Sequence, residues 1–255
     1  MKTLTTFLGI LINIVVFSKC SNIGISVFPN KTEINKNSIF LIEGFASSQK
    51  IINSLNKEYR IYLQNGNQKI TLNIVKINVG DFQLTQAILK PEYPLEIGKE
   101  YIFKIDNLPK YEVVNKFNNY NFQSKPIIYK VISNVDIEKP LIEKMPYEIN
   151  KSYIEYGCGP ESNVIFSFIA SDSSEIIIKT TVKNLATKKI TTFYLIPDNN
   201  KLRVGYDMCS GAFKYDSNMV YEVDFDFVDS SGNVTKWNNK KIKFTKPTKE
   251  NNHAE

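Results

Sequence analysis

Short apolar runs recur from residue 23 to residue 245, separated by clusters of Asn, Asp, Gly, Pro and Ser. The runs are rich in Ile, Val, Phe, Tyr and Thr, the β-branched and aromatic types that fit a pleated, half-buried surface. The pattern predicts strands at 23–28, 38–44, 59–64, 69–79, 81–89, 101–105 and 127–133. A second series follows at 164–170, 175–182, 190–195, 202–206, 220–228 and 234–244. Turn signals such as Asn65-Gly66-Asn67, Gly80-Asp81, Asn199-Asn200 and Ser231-Gly232-Asn233 lie between them. From Tyr221 to Phe227 apolar and acidic residues alternate, which predicts a half-buried strand with Glu222, Asp224 and Asp226 facing water. Residues 51–59 allow one short helical turn. The fold class is all-β, and its sheets are expected to be antiparallel.

The first twenty residues read differently. Lys2 precedes an apolar run from Phe7 to Phe17, broken only by Gly9 and Asn13. That run is too short for a helix spanning ~30 Å of hydrocarbon, so residues 1–19 are expected to be a secretory signal. Phe17-Ser18-Lys19-Cys20 resembles the lipobox of bacterial lipoproteins, departing from it at Lys19 and Phe17. The resemblance implies lipidation of Cys20, a membrane contact through that anchor, and a place in the cell envelope. The alternative is an ordinary cleaved signal and a secreted protein.

Composition narrows the chemistry. The 32 basic and 26 acidic residues give a net charge of +6, and without Lys2 and Lys19 the balance is 30 against 26, or +4. No basic block is present, which argues against a nucleic-acid partner. The single histidine, His253, lies in the polar tail 247–255. A Ser-His-Asp triad, a Cys-His pair and a multi-histidine metal site are therefore not expected. A copper-carrier site would need soft ligands that the chain does not supply. Neither a cofactor nor enzymatic activity is expected. Asp224 and Asp226 share a strand face, but an exposed one, and make a weak glycosidase pair.

Several motifs resemble the Ig-like domains repeated in bacterial surface and secreted proteins. Pro94-Leu95-Glu96-Ile97-Gly98-Lys99-Glu100-Tyr101 resembles the segment entering a late strand of those domains. There Gly98 allows the corner, and the Tyr101 hydroxyl is expected to bond back to the turn. Residues 29–44 resemble their opening strand and bend. Asp229-Ser230-Ser231-Gly232-Asn233-Val234-Thr235 resembles their late hairpin, and Asp136-Ile137-Glu138-Lys139-Pro140 their interdomain link. The resemblance implies two tandem antiparallel β-sandwiches, at 22–135 and 136–246, joined by a semi-rigid Pro-containing link within 133–146.

Cys158 and Cys209 remain after Cys20 is set aside. Export would favour a disulfide between them, tying two turn-rich loops. Tyr111, Phe117 and Tyr120 lie in a segment interleaving aromatics with amides, the combination that stacks on and hydrogen-bonds sugars. The alternative is that those rings pack an irregular connection onto the sandwich. The segments 171–175 and 229–233 carry oxygen ligands suited to calcium, yet their spacing matches no calcium loop and turns require the same residues. The expected role is non-enzymatic: binding, adhesion or scaffolding toward a protein or glycan partner at the cell surface. A carbohydrate-binding accessory lipoprotein of a polysaccharide-uptake system is the alternative.

Overall fold

The computed structural model describes residues 24–117, 125–217 and 219–251 of the chain. The signal segment 1–19, Cys20, Tyr120 and His253 lie outside these residues. The first half contains β1 (Gly24–Phe28), β2 (Glu33–Asn35), β3 (Phe40–Phe45), α1 (Gln49–Asn53), β4 (Ile61–Asn65), β5 (Gln68–Val79), β6 (Leu84–Pro91), β7 (Glu100–Ile105), β8 (Val114–Lys116) and β9 (Ile128–Ser133). The second half contains β10 (Leu141–Tyr156), β11 (Gly159–Ser171), β12 (Ile176–Asn184), β13 (Ile190–Leu195), β14 (Lys201–Tyr206), β15 (Val220–Asp229), β16 (Val234–Thr235) and β17 (Ile242–Thr245). The protein is all-β, as the alternation predicts.

In the first half the strands form one path, β2-β9-β7-β4-β5-β6-β3-β1-β8, folded over on itself. The fold falls within β5. Residues 68–71 pair with β4, and from Leu72 on the strand pairs with β6, with a register shift between Ile74 and Lys76. A bulge of this kind bends a strand and lets it serve two layers. The chain start also divides: β1 pairs antiparallel with β3, and β2 pairs parallel with β9. Between the layers lie Phe40, Leu63, Leu89, Tyr101 and Tyr129, all fully buried.

Tyr101 makes the corner expected of it. Its ring is buried, its hydroxyl accepts the Glu96 N–H at 3.1 Å, and Gly98 holds φ +80° in the turn between them. A side chain at that φ would be strained.

The second half has two layers, β10-β11-β14 and β13-β12-β15-β16, with β17 also on β15. Rings fill the space between them. Phe166 meets Phe225 edge-on at 5.2 Å, and Phe168 meets Phe227 at 5.3 Å. Such pairs add about 0.5–1.5 kcal/mol beyond the area they bury. Tyr221 forms a corner of its own, its hydroxyl accepting the Asp216 N–H at 2.7 Å.

Two features differ from expectation. β10 is a sixteen-residue strand where the sequence suggests the end of a link, so the connection from β9 runs only over 134–140. Three register shifts against β11 scramble its alternation, which hides it from a period-two reading. The acids of β15 also do not simply face water. Asp226 is 8% exposed beneath Lys179 and Lys236, and Asp224 pairs with Lys241 at 2.6 Å.

The two halves are packed together. β3 and β6 are buried on both faces, one toward the first core and one toward the second half. Phe28, Ile39, Leu41 and Ile88 meet Ile177 and Val228 in a third apolar cluster. Main-chain bonds cross beside it. Ile39 N–H donates to the Ser230 carbonyl at 2.8 Å, and Phe82 and Gly211 exchange bonds at 3.1 and 2.7 Å.

Candidate binding cleft at the junction of the two halves

The junction leaves a cleft of about 580 Å³ between β2, the 134–140 connection and the 173–175 turn. Its polar wall carries Lys31, Glu33, Asn35, Asp136, Glu138 and Glu175; Ile132, Val135 and Ile137 form an apolar lip. Ile137 is 79% exposed, an unusual placement for an aliphatic side chain beside a concavity.

Asn35 organises the wall. Its amide donates to Asp136 Oδ2 at 3.2 Å, Ser174 Oγ at 2.8 Å and Ser231 Oγ at 3.0 Å. Asn37 reaches the same link, donating to the Asp136 carbonyl at 2.8 Å and accepting the Asp136 N–H at 3.0 Å. Two side chains of the first half thus fix the connection against the second.

The two oxygen-rich segments singled out in the sequence converge here, with Asp136 as a third contributor. Asp136, Asp172 and Asp229 bring one carboxylate oxygen each to within 4.8 Å of one another. They form the group able to hold a cation among the described residues. Protein donors already occupy much of it. Asp229 accepts the Ser231 and Asn233 N–H groups and the Asn233 amide, each at 2.8 Å, and Ser174 Oγ donates to Asp136 at 2.7 Å. Burial raises the carboxyl pKa of Asp229 and of Asp172, and neighbouring acids add to both shifts. Burial likewise raises Glu175, opposed by the Lys31 N–H and by the charges of Lys31 and Lys116. The cleft is thus rich in acceptors, and its chemistry suits donors: hydroxyls, amides and cations.

Tyr111 and Phe117 sit in different surroundings. Tyr111 is 66% exposed, whereas Phe117 packs against the apolar cluster between the halves. The short strand β8 runs between them. Tyr120 is outside the described residues.

The cysteine-bearing turns lie side by side. A Cβ on Gly159 would sit 3.4 Å from the Met208 carbonyl oxygen. The turn closed by Asp207 N–H on the Ser210 carbonyl, at 2.9 Å, folds Cys209 inward to 6% exposure, while Cys158 sits half-buried at the hairpin tip.

A second polar feature escapes sequence reasoning. Register places Ser26, Glu43, Gln86 and Asn78 in one row across β1, β3, β6 and β5. All four are buried, facing the second half. Gln86 donates to Glu43 Oε2 at 2.6 Å and to the Tyr194 carbonyl at 2.8 Å, and accepts the Tyr194 N–H at 2.8 Å. Its side chain thereby caps the open edge of β13, as a neighbouring strand would. Only the polar letters Glu43 and Gln86 inside otherwise apolar runs hint at the row.

No family model matches this sequence, and no curated protein matches it. Among solved structures, type I pullulanase from Bacillus subtilis in complex with maltose aligns with 87% of this chain at 8% identity and a TM-score of 0.26. Pullulanase from Anoxybacillus sp. LM18-11 in complex with maltotriose aligns with 80% at 7% identity and a TM-score of 0.25. This chain spans 24% and 25% of those two chains, about a quarter of their length.

Proposed function

We propose that this is an exported, lipid-anchored, non-enzymatic binding protein of the cell envelope, built from two Ig-like domains and engaging its partner through the cleft between them. The strand pairings support the Ig-like reading. In each half two layers face each other, with β3–β6 opposite β4–β7 in the first and β11–β14 opposite β12–β15 in the second. Each half also enters a late strand through a tyrosine corner, at Tyr101 and Tyr221. A shared architecture of this kind carries no function by itself.

The observation that carries the binding role is the cleft: an acceptor-rich wall held by Asn35 and Asn37, beside the exposed lip of Ile132, Val135 and Ile137. Packing against β3 and β6 makes the two halves one platform, so a partner meets a preformed surface. The anchor at Cys20 would hold that platform at the membrane.

The test is saturable binding of the purified chain to isolated cell envelopes and to a glycan array. Binding weakened at least tenfold by Ile137→Asp and unchanged by Tyr111→Ala supports the cleft. Glycan binding lost on Tyr111→Ala would instead favour the carbohydrate reading. Mass spectrometry of the mature chain should find a diacyl or triacyl group on Cys20, and an unmodified start beyond residue 20 would remove the anchor.

A further inference from the structure

Glu43 is a buried acid at the seam between the halves, and no cation among the described residues is set against it. From the elements packed around it, β1 presents Ser26, β6 presents Gln86 and β5 presents Asn78. β13 presents the Tyr194 main chain through Gln86, and the loop after β14 presents Asp207, a second acid. The charges beyond Asp207 are Arg203, which offsets it, and Glu161, paired with Arg203 at 3.8 Å. The Tyr194 ring answers to Asp226 on the far side of its strand.

An ionised carboxylate accepts up to four hydrogen bonds, and here Gln86 supplies one to Glu43 Oε2. Both Gln86 amide protons are spent, on Glu43 and on the Tyr194 carbonyl. The Asn78 amide nitrogen is buried in the same row without a partner. The row is therefore built for a neutral carboxyl: one that accepts from Gln86 and needs no counter-charge. Ionisation would call for donors beyond the single Gln86 amide bond.

We propose that the Ser26–Glu43–Gln86–Asn78 row is a pH-responsive latch between the two halves, closed while Glu43 carries its proton and loosened when Glu43 ionises. The Gln86–Tyr194 bonds are the moving part, because the amide that holds β13 is the one that must turn to solvate the charge. Burial, with Asp207 adding to it, places this transition near pH 7, since the Glu43 pKa rises from 4.5 to about 7. The latch operates in a range that a compartment outside the cytoplasm can cross, and it does not depend on the identity of the partner.

The test is hydrogen exchange at the Tyr194 amide in the full chain between pH 5.5 and 8.5, corrected for the intrinsic pH dependence of exchange. Protection should fall as pH rises toward about 7 and level off above it, by about 30-fold between pH 5.5 and 8.5, since 1.5 pH steps lie between pH 5.5 and the transition. Glu43→Gln should remove the fall while keeping protection at its low-pH value. Asp207→Asn should keep the fall but move it to lower pH, because it removes the acid that opposes Glu43 ionisation. This second variant distinguishes a titration from a misfolded seam. Protection at Tyr194 that is flat with pH in the unmodified chain, or a fall that persists in Glu43→Gln, would overturn the latch.

Discussion

Glu43 in the first half and Asp226 in the second expose nearly the same fraction of their surface, 7% and 8%, although Glu43 lies deeper in the protein, and each sits within a strand opposite a cross-strand partner. For Glu43 the partner is the neutral Gln86; for Asp226 it is Lys179, at 3.0 Å. Asp226 gains Lys236 at 3.1 Å and the Trp237 N–H at 3.0 Å as well. Burial pushes both carboxyls up. At Asp226 the Trp237 N–H and the two lysines together more than offset it, and the pKa ends below the ordinary aspartate value. At Glu43 one amide bond does not offset it, and the pKa rises to about 7. Depth sets the cost of a charge, and the partner decides whether the charge is kept.

The largest expected effect separates the two acids by pH. Because the folded-state pKa of Glu43 lies above its unfolded value, its favourable contribution is complete below pH 4.5 and is lost as pH rises through about 7. Glu43→Gln should therefore stabilise the chain at pH 8.5 by up to about 3 kcal/mol, from ~2.5 pKa units at ~1.4 kcal/mol each, and leave stability near pH 4.5 unchanged. Urea unfolding at both pH values measures it, and a variant less stable at pH 8.5 would break the contrast.

Asp226→Asn should act in the opposite sense. It leaves Lys179 and the Trp237 N–H without their charged acceptor, and should cost about 2 kcal/mol at pH 7. A depressed folded-state pKa contributes stability above the unfolded value and loses it as pH falls, so variant and parent should converge in acid. The same titration checks this, and a constant difference down to pH 2 would point to lost packing instead of lost charge.

The smallest effect compares the two corners. Tyr101→Phe and Tyr221→Phe each delete one hydroxyl that accepts a main-chain N–H five residues earlier. Each should cost about 1 kcal/mol, and the double variant should sum to within about 0.5 kcal/mol, since the corners occupy separate cores. Denaturant midpoints of the three variants decide it. A strongly unequal pair would show that the corners are not equivalent devices.

The corners also show how far sequence reading reaches. Around Tyr101 the letters Pro94-Leu95, Gly98 and Tyr101 announce the turn, because the backbone there needs a residue tolerant of positive φ. Before Tyr221 no glycine or proline marks the same geometry, and the equivalent bond from Asp216 is invisible until the coordinates place it. The candidate cleft was legible in pieces. Asp136, Asp172 and Asp229 belong to three segments that each read as turn or link.

The sequence by itself determined the all-β class, most strands and the first corner, because period-two burial and turn chemistry are local properties. It also set the balance of charges and the shortage of histidine. Only the tertiary structure decided which polar residues are buried. Glu43 and Asp226 both look like surface letters in a strand, and each became interior because another layer or a lysine pair closed over it. Burial depends on what packs across from a strand, and no strand records its neighbour in its own residues.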